Sequence, residues 1–172
     1  HGWTIRYVLD THVHADHLSR SRALAHATGA ELVLPAAARV QFPFTPIADG
    51  ATLALGDAHI RAIATPGHTA ESTCYMFNEK VLFTGDTLFL SGVGRPDLKT
   101  SAEEAAERAR HLYRSLHNLL ALPPKTMVFP GHTAQPVAFD HTPVCAELGA
   151  ISSRIASWLT SEESFVRTIL ER

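Results

Sequence analysis

Residues 8–17, "VLDTHVHADH", end an apolar run on three histidines and two aspartates. The segment leading into them, "TIRYVLD" at 4–10, is apolar and β-branched, which predicts a strand whose C-terminal end points at the histidines. Side chains alternate along an extended segment, so His12-x-His14 places two imidazoles on one side of it. Asp16 and His17 then fall on the turn into the next element. Imidazoles with a carboxylate suit zinc, iron or manganese. One histidine at a strand end is an ordinary polar loop residue. Three with an aspartate in six positions read as a ligand cluster.

Three later stretches repeat the same grammar of strand, tight turn and metal-binding side chain. "TPGHT" presents His68 after a strand, with Pro66-Gly67 as the turn. "VLFTGDTLF" runs an apolar strand into Asp86, a carboxylate placed either to bridge two ions or to cap the next turn. "MVFPGHT" ends on His132. Each is weak alone. Together they are strong, because loops at one end of a sheet scaffold are where sites are assembled. Two ligand sets can be drawn: His12, His14 and His68 around one ion, and Asp16, His17 and His132 around another, with Asp86 between them. His26, His111 and His117 in helical patterns, His59 in a strand, His141 in a loop and the terminal His1 read as structural or solvated.

At 172 residues and 45% apolar composition the chain suits one globular domain, residues 1–172. A net charge of −2 argues against a phosphate-binding surface, so nucleic acid is not the expected partner. No run approaches the ~18 apolar residues of a membrane span, and no signal peptide is visible. Cys74 and Cys145 form no spacing motif and read as small apolar fillers of a reduced, cytoplasmic chain.

A helix is expected over "DHLSRSRALAHATG", starting near Asp16 and stopping at Gly29, then a short buried strand at 30–35. Two hairpins follow, one turning at Gly56-Asp57 and one at "NEK" (78–80). The clearest helix is 101–122, where Ser101 and Glu104 have capping-box spacing. Helical patterns recur in "PVCAELGAISSRIASWL" and "SEESFVRTILE". Strands interleaved with helices, with hairpins in the middle, make an α/β or α+β domain.

"THVHADH", with "PGHT", "TGDTLF" and "FPGHT" in order behind it, resembles the metallo-β-lactamase superfamily over nearly the whole chain. The resemblance implies an αββα sandwich with a one- or two-metal site at the sheet edges. "GDTLFLSGVGRPDL" is similar to the persulfide dioxygenases and rhodanese-associated hydrolases, which carry Gly-x-Gly-Arg-x-Asp after the bridging aspartate; Arg95 and Asp97 match it, and Arg95 becomes a substrate-binding candidate. Glyoxalase II shares the metal motif and a similar loop. Two departures stand out. Thr133-Ala134 replace the Asp-Tyr pair usual in persulfide dioxygenases, and only eleven residues precede His12 where the family has several strands. That expectation is of a sandwich lacking its N-terminal strands, through fragment numbering, a compensating homodimer or a damaged gene product.

Two mechanisms follow from the resemblance. In the preferred one, a single iron on His12, His68 and Asp86 oxidises a thiol persulfide such as glutathione persulfide to sulfite, with a rhodanese as a conceivable partner. In the alternative, two zinc, iron or manganese ions bridged by Asp86 hydrolyse a glutathione thioester or related ester, with Asp16 holding an ion or orienting the hydroxide. Asp16 and Asp86 are thus the catalytic candidates. A third reading is an inactive metal-binding or sulfur-relay protein.

Overall fold

A computed structural model describes every residue except His1, Ala15, Lys99, Ala134, Gln135, Phe139 and Arg172; the Ala134 half of the Thr133-Ala134 departure therefore lies outside the described residues. Strands β1 (Tyr7–Leu9), β2 (Glu31–Pro35) and β3 (Thr45–Ile47) form a parallel sheet in that order, with α1 (Ser21–Thr28) connecting the first two. A second sheet runs β4 (Thr52–Leu55), β5 (Ala58–Ala64), β6 (Thr73–Phe77), β7 (Val81–Gly85), β8 (Met127–Pro130) and β9 (Ala146–Glu147). Its pairs are antiparallel except β7 and β8, which are joined by a crossover carrying α2 (Ala102–Leu120). Helices α3 (Leu148–Ile155) and α4 (Glu162–Leu170) complete the chain.

Strand alternation sorts the apolar residues into three layers. Leu32 and Leu34 of β2 pack with Ala25 of α1, while Val33 between them packs with Ile47, Ala62 and Tyr75. On the larger sheet, Cys74, Met76, Leu82 and Val128 face a core built from Leu112, Leu116 and Leu119 of α2, Ile151 of α3 and Phe165 of α4. The result is helix, sheet, sheet, helices: the expected αββα sandwich. The two sheets are unequal. Among the described residues β1 pairs only with β2, and Phe83 and Phe129 of the larger sheet lie against each other, ring centroids 5.6 Å apart, with Phe83 still 45% exposed.

Capping signals landed where expected. Ser101 accepts from the backbone N–H of Glu104 at the start of α2, and Gly29 closes α1 in the left-handed region at φ 72°. Other boundaries moved. Helix α1 begins at Ser21 rather than near Asp16, because the hydroxyl of Ser19 receives the Ser21 N–H and itself donates to Asp10, which keeps residues 16–20 out of the helix. The expected helix from Pro143 starts only at Leu148, since Ala146 and Glu147 pair with Val128 and Met127 along the open side of β8. Strand β3, which carries Pro46, was not expected. It lies on the sheet edge, where the missing N–H costs nothing. No helix among the described residues is long and apolar enough to cross a membrane.

Candidate metal centre

The four motif turns converge. Strand β1 delivers Thr11 and His12 to the seam between the sheets, where the Thr73 N–H donates to Thr11 O (2.9 Å) and the Tyr75 hydroxyl to Asp10 O (3.0 Å). His12 is 2% exposed. Its Nδ1 pairs with Thr11 Oγ1 at 3.0 Å, which turns Nε2 inward, where it meets no hydrogen-bond partner. The turn after β5 brings in His68, whose Nδ1 donates to the carbonyl of Arg95 (2.9 Å), leaving Nε2 3.6 Å from Asp86 Oδ2. The His12 and His68 rings meet edge to face, centroids 4.9 Å apart.

Asp86 sits at the end of β7 and is buried. Its Oδ1 accepts from His132 Nδ1 at 2.8 Å, while His132 Nε2 donates to Asp16 Oδ2 at 3.0 Å. Asp16 Oδ1 accepts from His17 Nδ1, also at 3.0 Å. A hydrogen-bonded chain thus runs Asp86–His132–Asp16–His17. The His14 ring lies between those of His12, which it meets edge to face (4.3 Å), and His17, to which it is tilted (4.1 Å), and its Nδ1 is buried without a hydrogen-bond partner.

Two groups of donor atoms have the spacing of a metal site, each within 4.8 Å of one another: His12, His68 and Asp86, and His14, Asp16 and His17. His14 has donor spacing with Asp16 and His17 while its ring also lies 4.3 Å from that of His12, so it stands between the two groups, and His132 spans Asp86 and Asp16. All seven expected ligands therefore meet in one place. The residues fit a cation. An unpartnered buried polar nitrogen costs about 1–3 kcal/mol, and His12 Nε2 and His14 Nδ1 are two of them beside carboxylates.

The charges are arranged for the same purpose. Burial, reinforced by the neighbouring His14 and His68, pushes His12 down to about 4, so its lone pair is free at neutral pH. Burial and then His17 lower His14. The hydrogen bond from His17 is the main cause holding the Asp16 carboxyl down at about 2. His132 donates from both nitrogens to carboxylates, and the Asp86 bond raises its pKa.

Close backbone approach locks the turns onto Asp86. The Gly94 N–H donates to Asp86 O at 2.9 Å, and a Cβ at Gly94 would strike that carbonyl and stand 3.0 Å from His68 Nδ1. A Cβ at Gly131 would lie 2.7 Å from Asp86 Oδ1. Arg95, the substrate candidate, forks onto Asp97 (3.0 and 2.6 Å) beside a cavity of about 240 Å³ that His68, Asp86 and His132 also line. Of the histidines set aside, His59 and His111 pair with Glu79 and Glu107 at the surface, and His117 bonds Tyr113 O.

Some contributors carried no signal in the sequence. Glu71 Oε1 accepts from the Val13 N–H at 2.9 Å, bracing the His12–His14 segment across 58 residues. Asp10 accepts from Ser19 Oγ (2.9 Å) and Ser21 Oγ (2.6 Å), tying the two ends of the ligand loop together. A Ser-x-Ser pair nine residues after an aspartate is a clue only in hindsight.

An αββα sandwich with histidine and aspartate ligands gathered at the sheet edges defines a class of metalloproteins. The chain belongs to the Metallo-beta-lactamase superfamily, whose model matches residues 35–132, more than half of it. It is 37% identical over 134 residues to a hydroxyacylglutathione hydrolase of Rhizobium etli, an alignment covering 76% of this chain and 49% of that one. The chain thus spans about half the length of the curated relatives it matches. Its fold is similar to ETHE1 from Myxococcus xanthus (TM-score 0.80, 30% identity, 98% of this chain and 70% of that one). A metallo-beta-lactamase from Staphylococcus aureus superposes with a TM-score of 0.85 at 24% identity over 98% of this chain and 54% of that one, a likeness of fold.

Proposed function

We propose that the chain carries the catalytic centre of a two-metal hydrolase of glutathione thioesters. The observation that carries this reading is the placing of Asp86, whose two oxygens face different ligand groups: Oδ2 toward His68, and Oδ1 toward His132 and through it Asp16. A carboxylate so placed suits two adjacent ions, and the name of the hydroxyacylglutathione hydrolase relatives points to the thioester. His12, His14 and His68 would hold one ion and Asp16, His17 and His132 the other, with Asp86 shared. Bound there, the ions supply Lewis acidity and lower the pKa of water toward neutrality.

The chain's own residues do the remainder. Thr11 and the Arg95 carbonyl fix the ring nitrogens of His12 and His68, so that Nε2 of each faces the centre. Asp16 stays ionised down to about pH 2, which makes it a poor proton acceptor and a good group for holding and orienting. His132 carries a proton between two carboxylates and must release it to act as a ligand.

A second reading, oxidation of a thiol persulfide at one iron, is favoured by the His12, His68 and Asp86 group. It is the more buried of the two and is a two-histidine, one-carboxylate set. Metal content measured together with turnover separates the two. Two ions per chain with hydrolysis of S-lactoylglutathione is the expected result. One iron per chain, with oxygen uptake on glutathione persulfide and no thioester cleavage, would replace it with the second reading.

A further inference from the structure

The cavity beside Arg95 is lined by Asp16, His68, Asp86 and His132. A larger one, about 760 Å³, shares none of these residues and is lined by His12, His14 and His17, between α1 and the outer face of the three-stranded sheet. We propose that this larger cavity receives an extended apolar acyl arm of the thioester, with the thiol arm lying on the Arg95 side. The proposal rests on the thioester reading above.

The cavity has the size and mainly apolar lining of a small-molecule site. Leu32, Leu34, Val40 and Phe42 line it on the sheet side. Of helix α1, Arg22, Ala23 and His26 line the cavity while Ala25 packs into the core, and the small side chain of Ala23 leaves room between helix and sheet. Leu18 also lines it, next to the ligand His17, and is 80% exposed. An apolar side chain that exposed beside a metal site is stabilised by an apolar occupant.

Charge points the same way. The cavity's one carboxylate, Asp10, is engaged by the hydroxyls of Ser19 and Ser21. Arg20 and Arg22 stand at the rim, and Arg22 lies over the Phe42 ring at 5.3 Å. A short acyl group would leave most of the volume unfilled. Hydrolysis balances without a co-reactant: water gives its hydroxyl to the acyl carbon and its remaining proton to the sulfur as the C–S bond breaks, yielding acid and thiol.

The test compares S-octanoylglutathione with S-acetylglutathione as substrates of the metal-loaded protein. In parallel, calorimetry compares the uncleavable S-octylglutathione with S-methylglutathione. Each buried methylene is worth about fourfold, so the octanoyl and octyl compounds are expected to be preferred at least ~10-fold in kcat/KM and in Kd. Val40→Trp fills the sheet side of the cavity. Ala23→Phe fills it from an exposed helix position, so it keeps the test alive should Val40→Trp fail to fold. Each should cut both preferences at least ~10-fold. Hydrolysis of both thioesters with equal efficiency, or an octyl preference untouched by the two variants, overturns the acyl-arm proposal. Cleavage of neither thioester overturns the hydrolase reading instead, while the calorimetry still decides whether the cavity binds an apolar arm.

Discussion

The two ligand groups lie within one site and are built in opposite ways. His12, His68 and Asp86 are buried, stand where strands end, and are backed by Thr11 and by the carbonyl of Arg95. Asp16 and His17 hang on the exposed loop between β1 and α1, about half exposed, and are braced chiefly by one another and by His132. The first group is pre-organised by the fold. The second takes its shape from its own charges. The lesson is that strand ends supply geometry, while a loop supplies charge that an ion must organise.

The largest effect expected from that contrast comes from the residue the two groups share. Asp86→Ala should abolish both ions and lower turnover by roughly a thousandfold or more, whereas Asp16→Ala should empty only the exposed half. Metal analysis of the two variants checks this, and equal loss in both would erase the distinction. A smaller effect tests the backing of the buried half. Thr11→Val should weaken its metal affinity about 10–100-fold, read by competition with a chelator, and change the exposed half less.

The smallest effect is one of pH, on the metal-free protein. Burial depresses His12 to about 4 from its ordinary 6.5, so the unfolded chain binds the proton more readily between those values. Stability from this group is whole above about pH 6.5 and is lost as pH falls toward 4, by about 1–3 kcal/mol, with His14 adding in the same direction. His132 is opposite in sign, contributing stability that is present below its ordinary pKa and lost as pH rises through its raised value. Denaturant unfolding between pH 4 and 7 should show the slope in the parent and a flatter one in His12→Gln.

Much of the site was legible because three of the four ligand turns carry local signals, an apolar strand, then Pro-Gly or Gly, then histidine or aspartate, and the fourth crowds three histidines into six positions. The helix caps at Ser101 and Gly29 are equally local. Strands β3 and β9 were not legible, since Thr45–Ile47 and Ala146–Glu147 are strands only because β2 and β8 offer them an edge. Glu71 and Asp10 act through partners far along the chain or across a loop, where no short pattern exists.

One consequence of the parallel β7–β8 pair concerns time rather than geometry. Asp86 and His132 touch across 46 residues of chain, and His132 and Asp16 across 116. Loops of that length close late, because their entropy must be offset before the contacts they permit can form. The junction at His132 is therefore expected to form late, and comparing a probe of that histidine with one on α2 during refolding checks this.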